Sequence, residues 1–382
     1  MRLLLASMLL AAAGASAQSV IAPALIPRAA TFFERTPSEQ TVSCEVKPIP
    51  ARLGFSLRFE AGYVARVPMK QYFGKGHSWL ILTRITPQGG GQPVYLGRSV
   101  KLPDIPKTKS ASESGGVYVL GAGRYAVDWV LADESNRVCR AHWSVDAKPG
   151  SGERGLKMGM EPSTVAGVTF RRWSAQGDTA ADVRPIRRLT VLLHAAPIFP
   201  RSTRFRARDR GFLLTSLASL LDSLPAKSVR LVVFNLDQQR ELIRQDVLTP
   251  EAFDPVAQSM NNLELGLVDY RVLQNQRGHL GLLAGLVNQE LRAAEPSDAV
   301  VFIGPPARFS DKLPETMIEG HSGGAPQFFY LEYKLFARNA PDLPDSIESA
   351  IKDLRGKTIQ INSPDGFAKA IKHVEAQMTR GN

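Results

Sequence analysis

The run Leu189-Thr190-Val191-Leu192-Leu193, which ends in His194-Ala195-Ala196, reads as a strand buried on both faces. A near-continuous apolar run marks a parallel strand covered by helices on both sides, whereas a strand with one wet face alternates apolar and polar residues. Arg201, Arg204, Arg206, Arg208 and Arg210 follow within ten residues, and 212–221 then has helical spacing. Strand, loop and helix in this order open a βαβ unit, and open α/β sheets bind ligands just beyond the carboxyl ends of their strands. The junction at 188–221 is therefore where a functional site is expected. It offers apolar residues and cations and no obvious catalytic machinery.

The pattern continues downstream. Strands are expected at 229–234, 265–273, 299–303, 328–335 and 357–361, with an edge strand at 240–245. Helices are expected from Thr249 to near Met260, at 278–294 and 346–354, and at 363–378, where Ser363 caps and Pro364 takes the first position. Alternation this regular predicts an α/β doubly wound parallel sheet over 186–380.

Upstream the periodicity differs. Segments 41–46, 55–59, 63–69, 79–85, 94–100, 116–120, 124–130 and 138–145 are short, rich in β-branched and aromatic residues, and punctuated by turn residues. They predict an antiparallel β-sandwich over 41–147, its last pair a hairpin that turns at 133–136. The order Cys44, Trp129, Cys139 resembles an immunoglobulin domain, but 95 positions between the cysteines is too long for its inter-sheet bridge, so the expectation is Ig-like in architecture only. Residues 101–115 are expected as an exposed loop. The polar, glycine-rich 147–155 marks the boundary, 148–185 reads as linker, and 165–173 fits a strand of either domain.

Arg2, the apolar run 3–13 and Ala15-Ser16-Ala17 form the three regions of a secretory signal peptide, 1–17, cut after Ala17. About 15 apolar residues are too few to span a bilayer, and no later window is a transmembrane segment. Gln18, not Cys, follows the cut, so no lipid attachment is expected. Export to a periplasmic or extracellular compartment makes a Cys44–Cys139 disulfide the expectation, two free buried cysteines being the alternative. On the chain-entropy argument such a bridge stabilises the segment by about 4 to 5 kcal/mol. The formal charge of +11 falls to +10 without Arg2. That balance attracts anionic surfaces, and it equally serves solubility. No zinc-finger spacing or RNP-type motif points to specific nucleic-acid binding.

In order and length of elements, 186–378 resembles the von Willebrand factor A-type domain, including degenerate versions in exported bacterial proteins with an N-terminal sandwich. The resemblance implies partner binding through a metal site built on Asp-x-Ser-x-Ser after the first strand. Here His194 stands in place of the Asp, Ala196 and Ile198 in place of the serines, and Gly304-Pro305-Pro306 where a second Asp is expected. Magnesium needs hard oxygen ligands, and these residues supply none. Neither a metal nor another cofactor is expected. The implied partner is a protein or an anionic cell-envelope surface.

Two further candidates carry chemistry. The five arginines, next to a helix amino terminus, could hold a carboxylate or phosphate, or form a solvated loop with Asp209 as helix cap or first-turn acid. Gly320-His321-Ser322-Gly323-Gly324 matches the nucleophile elbow of hydrolases, with Asp353 or Asp365 and then His373 in the required order. An elbow needs a helix after it, yet 327–331 reads as strand, so a flexible glycine loop is the competing reading. His194, Asp237 and His279 are the remaining titratable candidates, each with an ordinary structural explanation. No HExxH, Walker-type or GxGxxG pattern occurs. The expectation is an exported non-enzymatic binding protein, with a secreted serine hydrolase using Ser322 and His373 as its rival.

Overall fold

The computed structural model describes residues 18–34, 41–168, 186–199, 202, 204–224, 226–261, 263, 265, 270–319, 326–335 and 345–380. The chain divides into two compact units. The first comprises 1–52, 58–149 and 160–169, and the second comprises 53–57, 150–159 and 170–382. The protein is β-rich, and among the described residues no helix is long and apolar enough to cross a membrane.

The first unit contains β1 (Ser19–Val20), α1 (Ile26–Glu34), β2 (Glu45–Leu53), β3 (Phe59–Pro68), β4 (Ser78–Pro87), β5 (Val94–Lys101), β6 (Ala111–Leu120), β7 (Gly123–Asp133), β8 (Val138–Ala147) and β9 (Val165–Gly167). They form two sheets, ordered β1-β5-β4-β7-β8 and β2-β3-β6-β9. Alternation decides the inner faces: Phe59, Ala61, Tyr63, Ala65 and Val67 of β3 are all buried. Tyr63 packs edge-on against Trp129 of β7 at 5.5 Å, which brings the two sheets face to face. Close approach requires glycine at position 116, where a Cβ would lie 2.6 Å from the Tyr63 ring. Cys44 and Cys139 are disulfide-bonded, with Cα atoms 6.2 Å apart.

Three expectations change here. Residues 54–58 form a turn rather than a strand, because Leu57 adopts φ 55° and its N–H closes onto Gly54 O. The loop expected at 101–115 is shorter, since β6 starts at Ala111. Exposed Glu113 and Gly115 alternate with buried Ser114 and Gly116, so polar composition conceals a half-buried strand. Val165–Gly167 pairs with β6 and belongs to this unit.

The second unit contains β10 (Ile186–His194), α2 (Ala207–Ser223), β11 (Ala226–Asn235), β12 (Arg240–Gln245), α3 (Phe253–Ser259), α4 (Tyr270–Gln274), α5 (Gly278–Leu291), β13 (Ala299–Gly304), β14 (Gln327–Tyr333), α6 (Ser346–Asp353), β15 (Lys357–Ile361) and α7 (Pro364–Arg380). One six-stranded sheet runs β12-β11-β10-β13-β14-β15, and only β12 is antiparallel to its neighbour. Leu189, Val191 and Leu193 share a core with Leu217 of α2, Phe253 of α3 and Ile371 of α7. Leu192 faces the other way, toward Leu283 of α5 and Ile351 of α6. Helices thus cover both faces, which is why 189–193 of β10 is a near-continuous apolar run. The strand expected at 265–273 is replaced at its end by α4. Tyr270 and Leu273 are 69% and 61% exposed, so their apolar character does not reflect burial in a sheet. Residues 266–269 lie outside the described residues.

Candidate functional site

The carboxyl ends of β10, β11 and β13 form a rim where the connection after β10 runs toward β11 and the connection after the adjacent β13 runs the opposite way, toward β14. Doubly wound sheets bind ligands at such a point. His194, the last residue of β10, is 2% exposed and stacks on Phe234 at 5.2 Å. Its Nδ1 lies 2.9 Å from Pro305 O, and burial holds its pKa below the ordinary histidine value. The ring is therefore neutral, with Nδ1–H donating to the carbonyl. That leaves Nε2 as an acceptor, and it has no hydrogen-bond partner among the described residues.

The frame around this imidazole is tight. Gly304 has φ +150°, and a Cβ there would lie 2.6 Å from His194 O. Asn235, wholly buried, donates through Nδ2 to Ala195 O at 2.7 Å and accepts from Gln238 N at 2.7 Å. One side chain thereby ties the loops after β10 and β11 together. Ala195, Ala196 and Ile198 are buried and offer no side-chain oxygen. Among the described residues, no three His, Cys, Asp or Glu side chains converge as a metal site would require.

Charge enters from the loops. Asp237, after β11, lies 3.6 Å from the Arg308 Nε, an ion pair too long for a hydrogen bond. Arg308 also donates to Ser202 O. Of the expected arginines, Arg204, Arg206 and Arg208 are exposed, Arg210 is half-buried and donates to Asn261, and Arg201 lies outside the described residues. Asp209 is the first-turn acid of α2 and accepts from Arg206 N at 2.9 Å. Arg208 lies over the Phe199 ring at 4.3 Å. Among the described residues, none of the three exposed guanidinium groups pairs with a carboxylate.

Other buried acids lie near the same ends of the strands. Burial raises the Glu332 carboxyl to about 7, against the pull of Lys334 at 3.2 Å. Burial also raises Asp345 to about 6, while Tyr330 donates to it at 2.8 Å and it caps α6 through Ile347 N. His279 stacks on Phe309 at 4.0 Å and pairs with Asp311 at 3.2 Å.

Ser322, with 320–324, lies outside the described residues. His373 is nine residues into α7, about 13 Å along the axis from its first residue. Asp365 binds Lys369 at 2.7 Å, and Asp353 ends α6. Arg308 and Asn235 carried no signal in the sequence: the first follows a Pro-Pro-Ala run, and the second resembles any turn residue.

No family model matches the chain, and no curated protein matches it. Among solved structures, a Northeast Structural Genomics Consortium target is 17% identical, with 30% of this chain and 91% of that one covered, at a TM-score of 0.20. The putative ApaA protein from Bordetella pertussis is 15% identical over 30% of this chain and 99% of its own, at 0.19. A Bacteroides uniformis beta-glucuronidase is 8% identical over 84% of this chain and 39% of its own, also at 0.19. Likenesses at these TM-scores do not define a shared fold.

Proposed function

We propose that the protein is an exported, non-enzymatic binding protein in which an Ig-like sandwich precedes a von Willebrand factor A-like domain that meets its partner at the rim without a metal. The observation that carries this reading is the order β12-β11-β10-β13-β14-β15, with a single antiparallel edge strand and helices on both faces. His194 stands where the family motif has its first metal-binding Asp, and its Nδ1 is committed to Pro305. Ala196 and Ile198 replace the two serines. Export is supported by the leader-like 1–17 and by the Cys44–Cys139 bridge, a bond characteristic of oxidising compartments.

Calorimetric titration with millimolar magnesium or manganese tests the metal-free rim. No saturable heat and no shift in melting temperature are expected. Saturable binding would overturn the placement of His194, Ala196 and Ile198. A fluorophosphonate probe tests the absence of catalysis: no labelling above a denatured control is expected, and labelling lost in Ser322→Ala would establish the hydrolase instead.

A further inference from the structure

Two loops of the first unit, 69–77 and 101–110, are tied into one platform by backbone hydrogen bonds. Met69 N donates to Ser110 O, Leu102 N donates to His77 O, and Gly74 and Ile105 bond each other in both directions, all at 2.9 Å. Ile105 is buried, and Gly74 and Gly76 make the turn with φ of 86° and 91°, a region that glycine enters freely. Phe73 protrudes from this frame and is 63% exposed. His77 donates through Nε2 to the Phe73 carbonyl at 3.1 Å, so the backbone on both sides of the ring is fixed and the ring is held in water.

The same ties gather cations around the ring. Lys70, Lys75, Lys101, Lys107 and Lys109 are all exposed, and neither loop contains an arginine. Lys107 Nζ lies 5.6 Å from the centre of the Phe73 ring. The nearby acids do little to cancel this charge. Asp104 reaches Lys75 at 3.7 Å, too long for a hydrogen bond, and Glu134 accepts from His77 Nδ1 at 2.7 Å and from Ser78 N at 3.0 Å. Among the described residues, the other four lysines have no carboxylate partner.

We infer that this platform docks on an anionic phospholipid surface, with the Phe73 ring entering just below the headgroups and the five lysines lying at their level. The site is on the first unit and does not depend on how the rim of the second is used. A soluble polyanion would meet the lysines and leave the ring in water, whereas a lipid surface accepts both. Lysine is a point charge on a flexible stem and lacks the fixed fork by which arginine grips one carboxylate or phosphate at a time, so five lysines suit a fluid array of headgroups. Their apolar stems extend the same way, lying along the acyl boundary while the ammonium groups stay among the phosphates.

The test is cosedimentation of the exported protein with vesicles of mixed phosphatidylglycerol and phosphatidylcholine, and with vesicles of phosphatidylcholine alone, at about physiological ionic strength. The parent should bind the first and not the second. Each lysine near an anionic leaflet contributes a factor of about five, so changing Lys70, Lys107 and Lys109 together to Gln should weaken binding at least about tenfold. Phe73→Ser keeps every charge and should also weaken it about tenfold, through loss of the buried ring. The control removes three exposed cations from the second unit, Lys227, Lys352 and Lys357 to Gln, and should change affinity less than about twofold. Phe73→Trp reports depth: its added fluorescence should be quenched by a nitroxide on the lipid acyl chain, beyond any quenching of the parent. Thermal melts confirm that each variant is folded.

A parent that does not bind the anionic vesicles would overturn the proposal outright. Equal weakening by the loop triple and the control triple would reduce the effect to net charge and overturn the site. Undiminished binding by Phe73→Ser, or no added quenching in Phe73→Trp, would overturn the lipid surface in favour of a polyanion that meets the lysines alone.

Discussion

The two ends of the six-stranded sheet treat arginine in opposite ways. At the amino ends, Arg188, Arg230 and Arg244 from three adjacent strands line a cavity of about 550 Å³, and each has a carboxylate partner. Arg188 meets Glu295, Arg230 meets Asp246 at 3.1 Å and buried Glu290 at 3.0 Å, and Arg244 meets Glu241 at 2.6 Å. At the carboxyl ends, exposed Arg204, Arg206 and Arg208 have no such partners among the described residues. Compensated charge in a partly buried setting belongs to the architecture, because removing one member strands the other. Uncompensated charge in solvent contributes little to folding, so its use lies in what it attracts.

The sharpest way to break this comparison is at Glu290. Its carboxylate is 1% exposed and accepts from Thr190 Oγ1 at 2.7 Å as well as from Arg230. Glu290→Ala should cost about 3 kcal/mol or more, because a guanidinium and a hydroxyl lose their buried acceptor together. Urea unfolding of the second unit, which carries α2, α5 and α7, should be followed by helical circular dichroism. A loss below about 1 kcal/mol would mean that the amino-end network is no more structural than the rim.

A smaller effect separates the buried acids from the surface ones. Glu332 has its carboxyl raised from 4.5 to about 7, chiefly by burial. A group whose folded value lies above its unfolded value binds its proton more tightly in the folded chain, so stability falls as pH rises through that window. Asp345 acts in the same direction, from 3.8 to about 6. His194, held below its ordinary 6.5, acts oppositely, its contribution being lost as pH falls below that value. The difference between parent and Glu332→Gln therefore carries the test: the variant should be more stable by about 1 to 2 kcal/mol at about pH 8 and close to equal near pH 5. Parallel pH profiles would show that Glu332 is ionised in the fold at both.

These contrasts also explain what could be read from the sequence. Strand β10 and its neighbours are legible because burial on both faces leaves a near-continuous apolar run, and the disulfide because two cysteines have one pairing. The turn at 54–58 is not, since nothing in Phe-Ser-Leu announces a positive φ at Leu57. Strand β1 and helix α1 escape notice because 18–34 is short and mixed in character. At the rim, His194 and Asp209 follow from their positions at a strand end and a helix start. Arg308 does not, because its place beside Asp237 comes from adjacency of β10, β11 and β13, which single-sequence periodicity does not contain. The buried Glu332 is hidden for the same reason: its two flanking strands, β13 and β15, decide its burial.

The smallest stability effect is the one the comparison depends on most. Replacing Arg204, Arg206 and Arg208 together with Gln removes three positive charges from the loop and first turn beside α2. The groups that organise this turn are retained: Asp209 still accepts from the residue 206 backbone N–H, and the Ser202 hydroxyl still bonds the residue 204 carbonyl at 2.8 Å. Mutual repulsion among the three cations, and with the positive end of α2, is relieved by the change. The Arg208 contact with Phe199 is lost, worth about 0.5 to 1 kcal/mol at an exposed site, and of opposite sign. The two contributions should leave the unfolding midpoint within about 0.5 kcal/mol of the parent. A loss of 2 kcal/mol or more would place these arginines with Arg230 as architecture, and would remove the contrast from which the binding role of the rim is drawn.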